Sequence, residues 1–462
     1  MARSLLLLTI SLSLLLISSY AADERRTRQG DPQQCRIQQL SASRPSRRIE
    51  SEGGVTELWD ENEEQFQCAG VAATRNIIQQ NSLSLPNFSP SPRLVYIQQG
   101  RGLLGISYPG CAESYHSRRQ STSQQSPRER QTEQQRGEDQ HQKVHRIRRG
   151  DIVALPAGAA HWCYNDGNEE LIALSITDVN SETNQLDQTP RSFYLAGGEP
   201  KRSSTQQQKQ QYNANNILRA FDERMMADAF DVPMEVVRKM QREDERGFIV
   251  KVEQGEMSMI RPDEEEDEES EERRRGSNGM EEAYCNMRIN MYLDNPKEAD
   301  VYSRQAGRLN SVNMNKLPIL RYMQMSAEKG NLYPNAMFAP HWSVNAHNIF
   351  YVTRGSAQVQ AVGSNGNTVF NGRVNEGDLV VVPQYFAMMK RADSNGFEWV
   401  SFKTSPLPVR SPLVGSRSTL KAMPVDVLAN SFQISQKEAE DIKYNRENHM
   451  FLLPPTSRSQ RS

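Results

Sequence analysis

No stretch of this chain stays apolar long enough to cross a bilayer, which takes ~20 residues of helix. The longest candidate, LLLLTISLSLLLIS at 5–18, falls short. No two cysteines are spaced CxxC, which argues against a zinc ribbon or a thioredoxin-like redox site. A GxSxG elbow, a phosphate-cradling GxxxxGK(S/T) loop and an HExxH helix are all missing, and with them three common enzyme classes. Lysine is scarce, supplying 13 of the 55 basic residues and leaving 42 arginines. Those arginines show neither aromatic interleaving nor a basic helix, so nucleic acid is not the expected partner. Hydrophobic residues make up 36% of the chain, against the ~45–50% apolar share of ordinary globular chains. Part of the chain must therefore stay solvated and unpacked.

What is present begins with Arg3, the apolar run, and the small residues Ser18, Ser19, Ala21 and Ala22. This is the form of a secretory signal peptide over 1–21, with a mature chain from about Ala22 that is soluble in the secretory pathway. Five cysteines stand at 35, 68, 111, 163 and 285. An odd number in an oxidising compartment predicts two bridges and one free thiol, and spacing alone leaves the pairing open. The formal net charge of −2 conceals an asymmetry. From Gly279 onward there are 20 Lys and Arg against 15 Asp and Glu, a net of +5. The remainder carries 35 against 42, a net of −7. Glutamine occurs 36 times, partly in runs such as QQQKQQ at 206–211. Solvated low-complexity surface and selection for nitrogen content both account for this excess.

The chain repeats itself. GDIVALP (150–156) returns as GDLVVVP (377–383), offset by 227. YIQQGRG (96–102) aligns with YVTRGSA (351–357), offset by 255. MADAFDVPMEVVRKMQ (226–241) aligns with LANSFQISQKEAEDIK (428–443), offset by 202. Three matches in one order mark a duplicated domain. The falling offsets place 28 and then 25 extra residues in the first copy. Two nearly apolar-free segments, 117–142 and 199–216, lie in those places and are expected to be mobile surface inserts. RLVYIQQG, GLLGISY, GDIVALP, HWCYN and ELIALSIT read as short strands, punctuated by Gly, Pro, Asn and Asp. In the second copy the strand readings are LPILRYMQMSAE, NIFYVTRG, SAQVQAVG, GDLVVVP and FEWVSFKT. Each set ends in an amphipathic helical segment; over 226–241, Met226, Phe230, Val237 and Met240 can share one face. Many short antiparallel strands predict a mainly β jelly roll with helices appended.

The tandem units resemble a bicupin. GDIVALPAGAAHWCYN carries the second cupin signature: Gly150, five residues, Pro156, one, Gly158, two, His161, three, Asn165. More narrowly, the chain resembles the legumin-type (11S) seed storage globulins over essentially its whole mature length. NGMEEAYCNMRINM (278–291) is the most specific stretch, supported by QCRIQQL (34–40), NQLDQTPRSFYLAGG (184–198) and YVTRGSAQVQ (351–360). The resemblance implies two tandem cupin jelly-roll β-barrels, each followed by a small helical segment. They would span 22–250 (the acidic chain) and 279–462 (the basic chain), joined by an acidic disordered linker at 251–278. It implies cleavage between Asn278 and Gly279 by a vacuolar asparaginyl endopeptidase. It pairs Cys111 with Cys285 across the cut and Cys35 with Cys68 inside the acidic chain, leaving Cys163 as an inert buried thiol. It also implies trimers of the proprotein, hexamers after the cut, and passage through the endoplasmic reticulum to a protein storage vacuole. No membrane partner is implied. The 18 methionines fit a sulfur reserve as well as core filling.

A catalytic cupin needs a metal held by about three histidines and one carboxylate. The first copy has no histidine ahead of YIQQGRG, so His161 stands alone. Cys163, two residues on in an extended strand, faces the same way. Together the two could grip copper or zinc weakly; alternatively, His161 is a hydrogen-bonded barrel residue. In the second copy the histidine positions hold His341 and Ser343, the glutamate position Asn348, and the last histidine position Met388. The signature's second glycine becomes Tyr385. His347 is off the spacing, and His116, His141, His145 and His449 fall in loops, at an insert edge or near the C-terminus. The carboxylate run DEEEDEESEE (263–272) is a solvated, self-repelling stretch. The expectation is a storage protein that is not an enzyme, with no metal and no cofactor. The rival is a metal- or small-molecule-binding, oxidoreductase-like cupin using His161. Asn87 lies in an NFS sequon, but Pro90 and the adjoining strand argue against a glycan there.

Overall fold

The structure is a computed structural model that describes residues 35, 37–113, 115–117, 139–198, 216–242, 244–253, 257, 285 and 287–455. The proposed signal peptide, nearly all of both inserts, Asn278 and Gly279 lie outside the described residues, as does most of the acidic linker.

Short strands, several of them buried along nearly their whole length, build the first barrel. Its strands are β1 (Arg47–Ser51), β2 (Gly54–Leu58), β3 (Val71–Ile78), β4 (Ser82–Phe88), β5 (Arg93–Gln99) and β6 (Arg101–Ser107). A small ribbon follows, β7 (Tyr115–Ser117) with β8 (Asp139–His141). Then come β9 (Val144–Arg148), β10 (Asp151–Leu155), β11 (Ala160–Asn165), β12 (Leu171–Asp178), β13 (Phe193–Tyr194) and β14 (Ile249–Lys251). One antiparallel sheet runs β1-β2-β3-β12-β5-β10, and the other runs β13-β4-β11-β6-β9 with β14 beside β4. His116, His141 and His145 thus sit in short strands rather than in loops.

The edge of the first sheet is completed from far along the chain. Strand β15 (Asn290–Tyr292) pairs with Asp151–Val153 of β10. On either side, Ala154 donates its N–H to Ile289 O and Leu293 donates to Gly150 O. Ile289 and Leu293 are fully buried there.

The second barrel contains β16 (Val301–Ser303), β17 (Gly307–Val312), β18 (Ser326–Leu332), β19 (Met337–Ser343), β20 (Asn348–Val362), β21 (Thr368–Asn375), β22 (Leu379–Val382), β23 (Ala387–Lys403), β24 (Arg410–Pro412) and β25 (Leu452–Leu453). The long strands β20 and β23 pair along their whole length, with register shifts at Val352/Arg354 and Gly355/Ala357. Gly355 has φ +75°, and a Cβ on it would stand 2.3 Å from Gly396 O. Its counterpart in the first copy, Gly100, has φ +79° and would meet Glu170 O at 2.5 Å. Only glycine fits such a bend. The second barrel also borrows a segment. Ile37 and Leu40 belong to its core cluster, Leu40 donates to Val369 O, and Ser43 and Leu379 exchange backbone hydrogen bonds. Each barrel is thus closed by residues from the other end of the chain. One hydrophobic core continues from the first barrel (Leu94, Ile152, Ile176) into the second (Ile349, Leu379, Phe402).

Two sequence expectations fail locally. LPILRYMQMSAE is not one strand: Leu320–Met323 forms a helical turn, ended by Gln324 in the left-handed region, before β18 begins. The segment 226–241 is not one helix. α1 (Glu223–Phe230) stops at Asp231, which takes φ +51°, and α2 (Met234–Gln241) starts after Pro233. Met226 and Val237 are buried together, but Phe230 turns outward. The second copy repeats the device with α3 (Val425–Phe432), left-handed Gln433, and α4 (Gln436–Tyr444) under a Ser435–Glu438 capping box. A left-handed residue followed by an N-cap or proline breaks a continuous apolar pattern into a helical hairpin.

Candidate functional site: the two barrel interiors

Backbone register and the spacing from the bend glycine locate three of the four ligand positions in each barrel. In the first, His161 of β11 stands opposite Asn87 of β4 and Ile106 of β6. In the second, Met388 stands opposite His341 and Ala361. Arg93 starts β5 seven residues before Gly100, as Asn348 starts β20 seven residues before Gly355. The glutamate position of a metal-binding cupin is thus occupied by an arginine in one copy and by an amide in the other. Sequence reading noted Asn348 and passed over Arg93, although the same count from the glycine locates both.

The first interior is a cavity of about 400 Å³. His161 and Cys163 both border it, so the strand alternation inferred for them holds. The His161 Nδ1–H points to Ala159 O at 3.4 Å. Burial, reinforced by the charge of Arg93, pushes its pKa down to about 3, so the imidazole is neutral. Burial lifts the Cys163 thiol up to about 12, with a further push from Asp166; it is a protonated, unreactive sulfur. Arg93 donates to Asn87 Oδ1 (3.4 Å), Arg191 O (3.1 Å) and Ser192 Oγ (2.6 Å). Asn87 is buried near the end of β4 and its amide nitrogen donates to Leu85 O, which leaves no room for a glycan.

The second interior is filled. Lys390 takes the register place of Cys163, opposite Val359 as Cys163 is opposite Leu104. Trp399 takes the place of Ala173, and Lys403 that of Thr177. Lys403 Nζ lies 2.7 Å from Asn348 Oδ1 and 3.3 Å from Glu328 Oε1, and Arg410 Nη2 lies 2.6 Å from Glu328 Oε2. Lys390 Nζ sits 3.7 Å from the centre of the Phe350 ring and 4.3 Å from that of Trp399. Burial lowers the Lys403 pKa to about 8 against the opposing pull of Glu328. Burial alone would raise the Glu328 carboxyl, but Arg410 and Lys403 outweigh it and hold the group well below the usual range. His341 is buried, donates from Nδ1 to Ala339 O at 2.8 Å, and is held neutral by burial and by the Arg410 charge.

Neither set suits a metal ion. A guanidinium stands at the carboxylate position in the first barrel, and an ammonium on Asn348 supplies positive charge in the second. Among the described residues, no group of three or more His, Cys, Asp or Glu could hold one. Two disulfides join Cys35 to Cys68 and Cys111 to Cys285, and Cys163 is free.

A duplicated jelly roll with degenerate ligand positions defines a bicupin, and the family model described as cupin matches residues 40–201 and 291–440. The chain is 54% identical over 454 residues to the 11S globulin seed storage protein 2 of Sesamum indicum, covering 98% of each chain. It is 46% identical over 445 residues to the 11S globulin seed storage protein Ana o 2.0101 of Anacardium occidentale, covering 94% of this chain and 95% of that one. The crystal structure of procruciferin, an 11S globulin from Brassica napus, superposes with a TM-score of 0.80 at 37% identity, over 92% of this chain and all of that one. The chain belongs to the legumin-type (11S) seed storage globulins of the cupin superfamily. A storage role follows from that membership.

Proposed function

We propose that the protein is a nutrient reservoir without enzymatic activity. It is made as a proprotein, cut between Asn278 and Gly279 by an asparaginyl endopeptidase, and held as disulfide-linked acidic and basic chains in a protein storage vacuole. The observation that carries this reading is the double tie across the cut. Cys111 is bonded to Cys285, and β15 completes a sheet of the first barrel. A chain severed at residue 278 would remain one particle.

Assembly as trimers, then hexamers, is supported by the helical hairpins. Phe230 at the end of α1 and Phe432 at the end of α3 occupy equivalent repeat positions and are 52% and 53% exposed. Met225, Val236, Val427 and Ile442 add further exposed apolar surface. Large apolar side chains exposed together on one helical hairpin suit a partner surface. Pairing the first hairpin of one copy with the second of the next is a head-to-tail contact that closes into a ring.

Denaturing gels of seed protein, with and without reductant, test the maturation. One band is expected without reductant and two with it, the smaller beginning at Gly279 on N-terminal sequencing. A single band under both conditions would refute the cut.

A further inference from the structure

We infer that the outer face of the first barrel's second sheet is a docking surface, and that its occupant is the chain's own acidic run, residues 263–272.

Leu104 and Ile147 line the barrel cavity, so their neighbours in β6 and β9 face outward. On that outer face Arg101 stands directly opposite Arg148, and two residues along Leu103 stands directly opposite Arg146. Like charges directly opposite each other destabilise a strand pair, and an anion laid across them removes that cost. Arg101 and Arg148 are exposed. Arg148 lies over the Tyr292 ring, 5.2 Å from its centre. Exposed Arg288 belongs to the same edge: its Nε donates to Asn290 O, and the Asn290 amide donates to Arg146 O. Among the described residues no carboxylate stands within ion-pair distance of Arg101, Arg148 or Arg288, including Asp166, Glu169 and Glu170 in the turn beside Arg101. Asp151, buried near Arg148 and Arg288, is engaged instead with the Arg148 backbone N–H at 2.9 Å.

The path of the chain identifies the occupant. Beyond β14 the polypeptide runs onto this same face: Val252 and Met257 pack on the cluster of Leu103, Val144 and Tyr164. Because Leu103 is the cross-strand partner of Arg146, Met257 is anchored beside the arginines. Asp263 follows Met257 by six residues, a reach of at most ~20 Å of extended chain. DEEEDEESEE then supplies nine carboxylates in ten residues, against four arginines (Arg261, Arg273, Arg274 and Arg275), a net of −5 over 258–278. Thirteen residues after the run, Cys285 is bonded to Cys111 and so returns the chain to the first barrel. Single surface ion pairs are weak, but a segment tethered at both ends meets its surface at high effective concentration. The run and Arg101, Arg146 and Arg148 all precede Asn278, so a cut there leaves the contact within one chain.

Replacing the nine carboxylates of 263–272 by glutamine empties the face. A fluorescein-labelled DEEEDEESEE peptide, titrated at low salt, should bind this neutralised chain one per chain, at least tenfold more tightly than it binds the parent, whose own run is in place. Arg101→Gln with Arg148→Gln in the neutralised chain should remove that gain. Equal binding to parent and neutralised chain would show the face vacant in the parent. No binding to the neutralised chain would show that something else covers it, such as a second copy. Either result, or binding indifferent to the two arginines, would overturn the inference. A second measurement needs no variant. A glutamate-specific protease should cut the parent within 263–272 at least tenfold more slowly than it cuts the free 258–278 peptide at low salt, and the ratio should collapse toward one at ~0.5 M NaCl as the charges are screened. A ratio near one at low salt, or one that salt leaves unchanged, would also overturn it.

Discussion

Glu328 balances the charge buried inside the second barrel. It is buried against Lys403 and Arg410, and their charges keep its folded pKa below its ordinary value of 4.5. A depressed carboxylate contributes stability that is fully present above its unfolded pKa and is lost as pH falls through the folded one. Glu328→Gln should therefore cost roughly 3–5 kcal/mol at pH 7, the usual consequence of leaving buried cations unpaired. Below the carboxylate range the variant and the parent should converge. Urea unfolding at neutral and acid pH checks both halves; equal stability at pH 7 would show that the cluster is neutralised some other way. Little of this was legible in the sequence. Glu328, Lys403 and Arg410 lie on different strands, and no local pattern says that three charges will meet inside a barrel. Arg93 was legible, because its distance from Gly100 matches that of Asn348 from Gly355.

Elements were read best where two signals coincided. The strands around GDIVALP and HWCYN had both strand-favouring residues and flanking turn residues, and they fall where expected. LPILRYMQMSAE had only an apolar run, which cannot separate a buried helical turn from a strand, and the turn prevailed. The helical hairpins were half legible: amphipathic period was visible, but the break at Asp231 depends on a left-handed residue that periodicity ignores. Their outward faces carry the next prediction. Phe432→Asp should leave the circular dichroism spectrum unchanged, because the side chain is more exposed than buried, yet yield monomers on size-exclusion chromatography. A variant that still elutes as the parent oligomer would remove α3 from the assembly contact.

For the whole molecule, composition placed the charge reversal at the linker but hid the crossing of segments. Residues 37–43 pack on the second barrel and β15 on the first, contacts separated by more than a hundred residues in the chain. These contacts should make the Cys111–Cys285 bond dispensable in the cold folded state. Cleaved protein treated with reductant, without denaturant, should elute at an unchanged volume and separate only when unfolded; release of free acidic chain would contradict this. The same crossing sets a timetable for biosynthesis. The ribosome must deliver residue 293 before the first barrel can finish its sheet, and the segment 37–43, among the first to emerge, must wait for β21 and β22. A nascent chain of this design leaves raw sheet edges exposed through most of its synthesis, so its safety in the cell depends on how long those edges go uncovered.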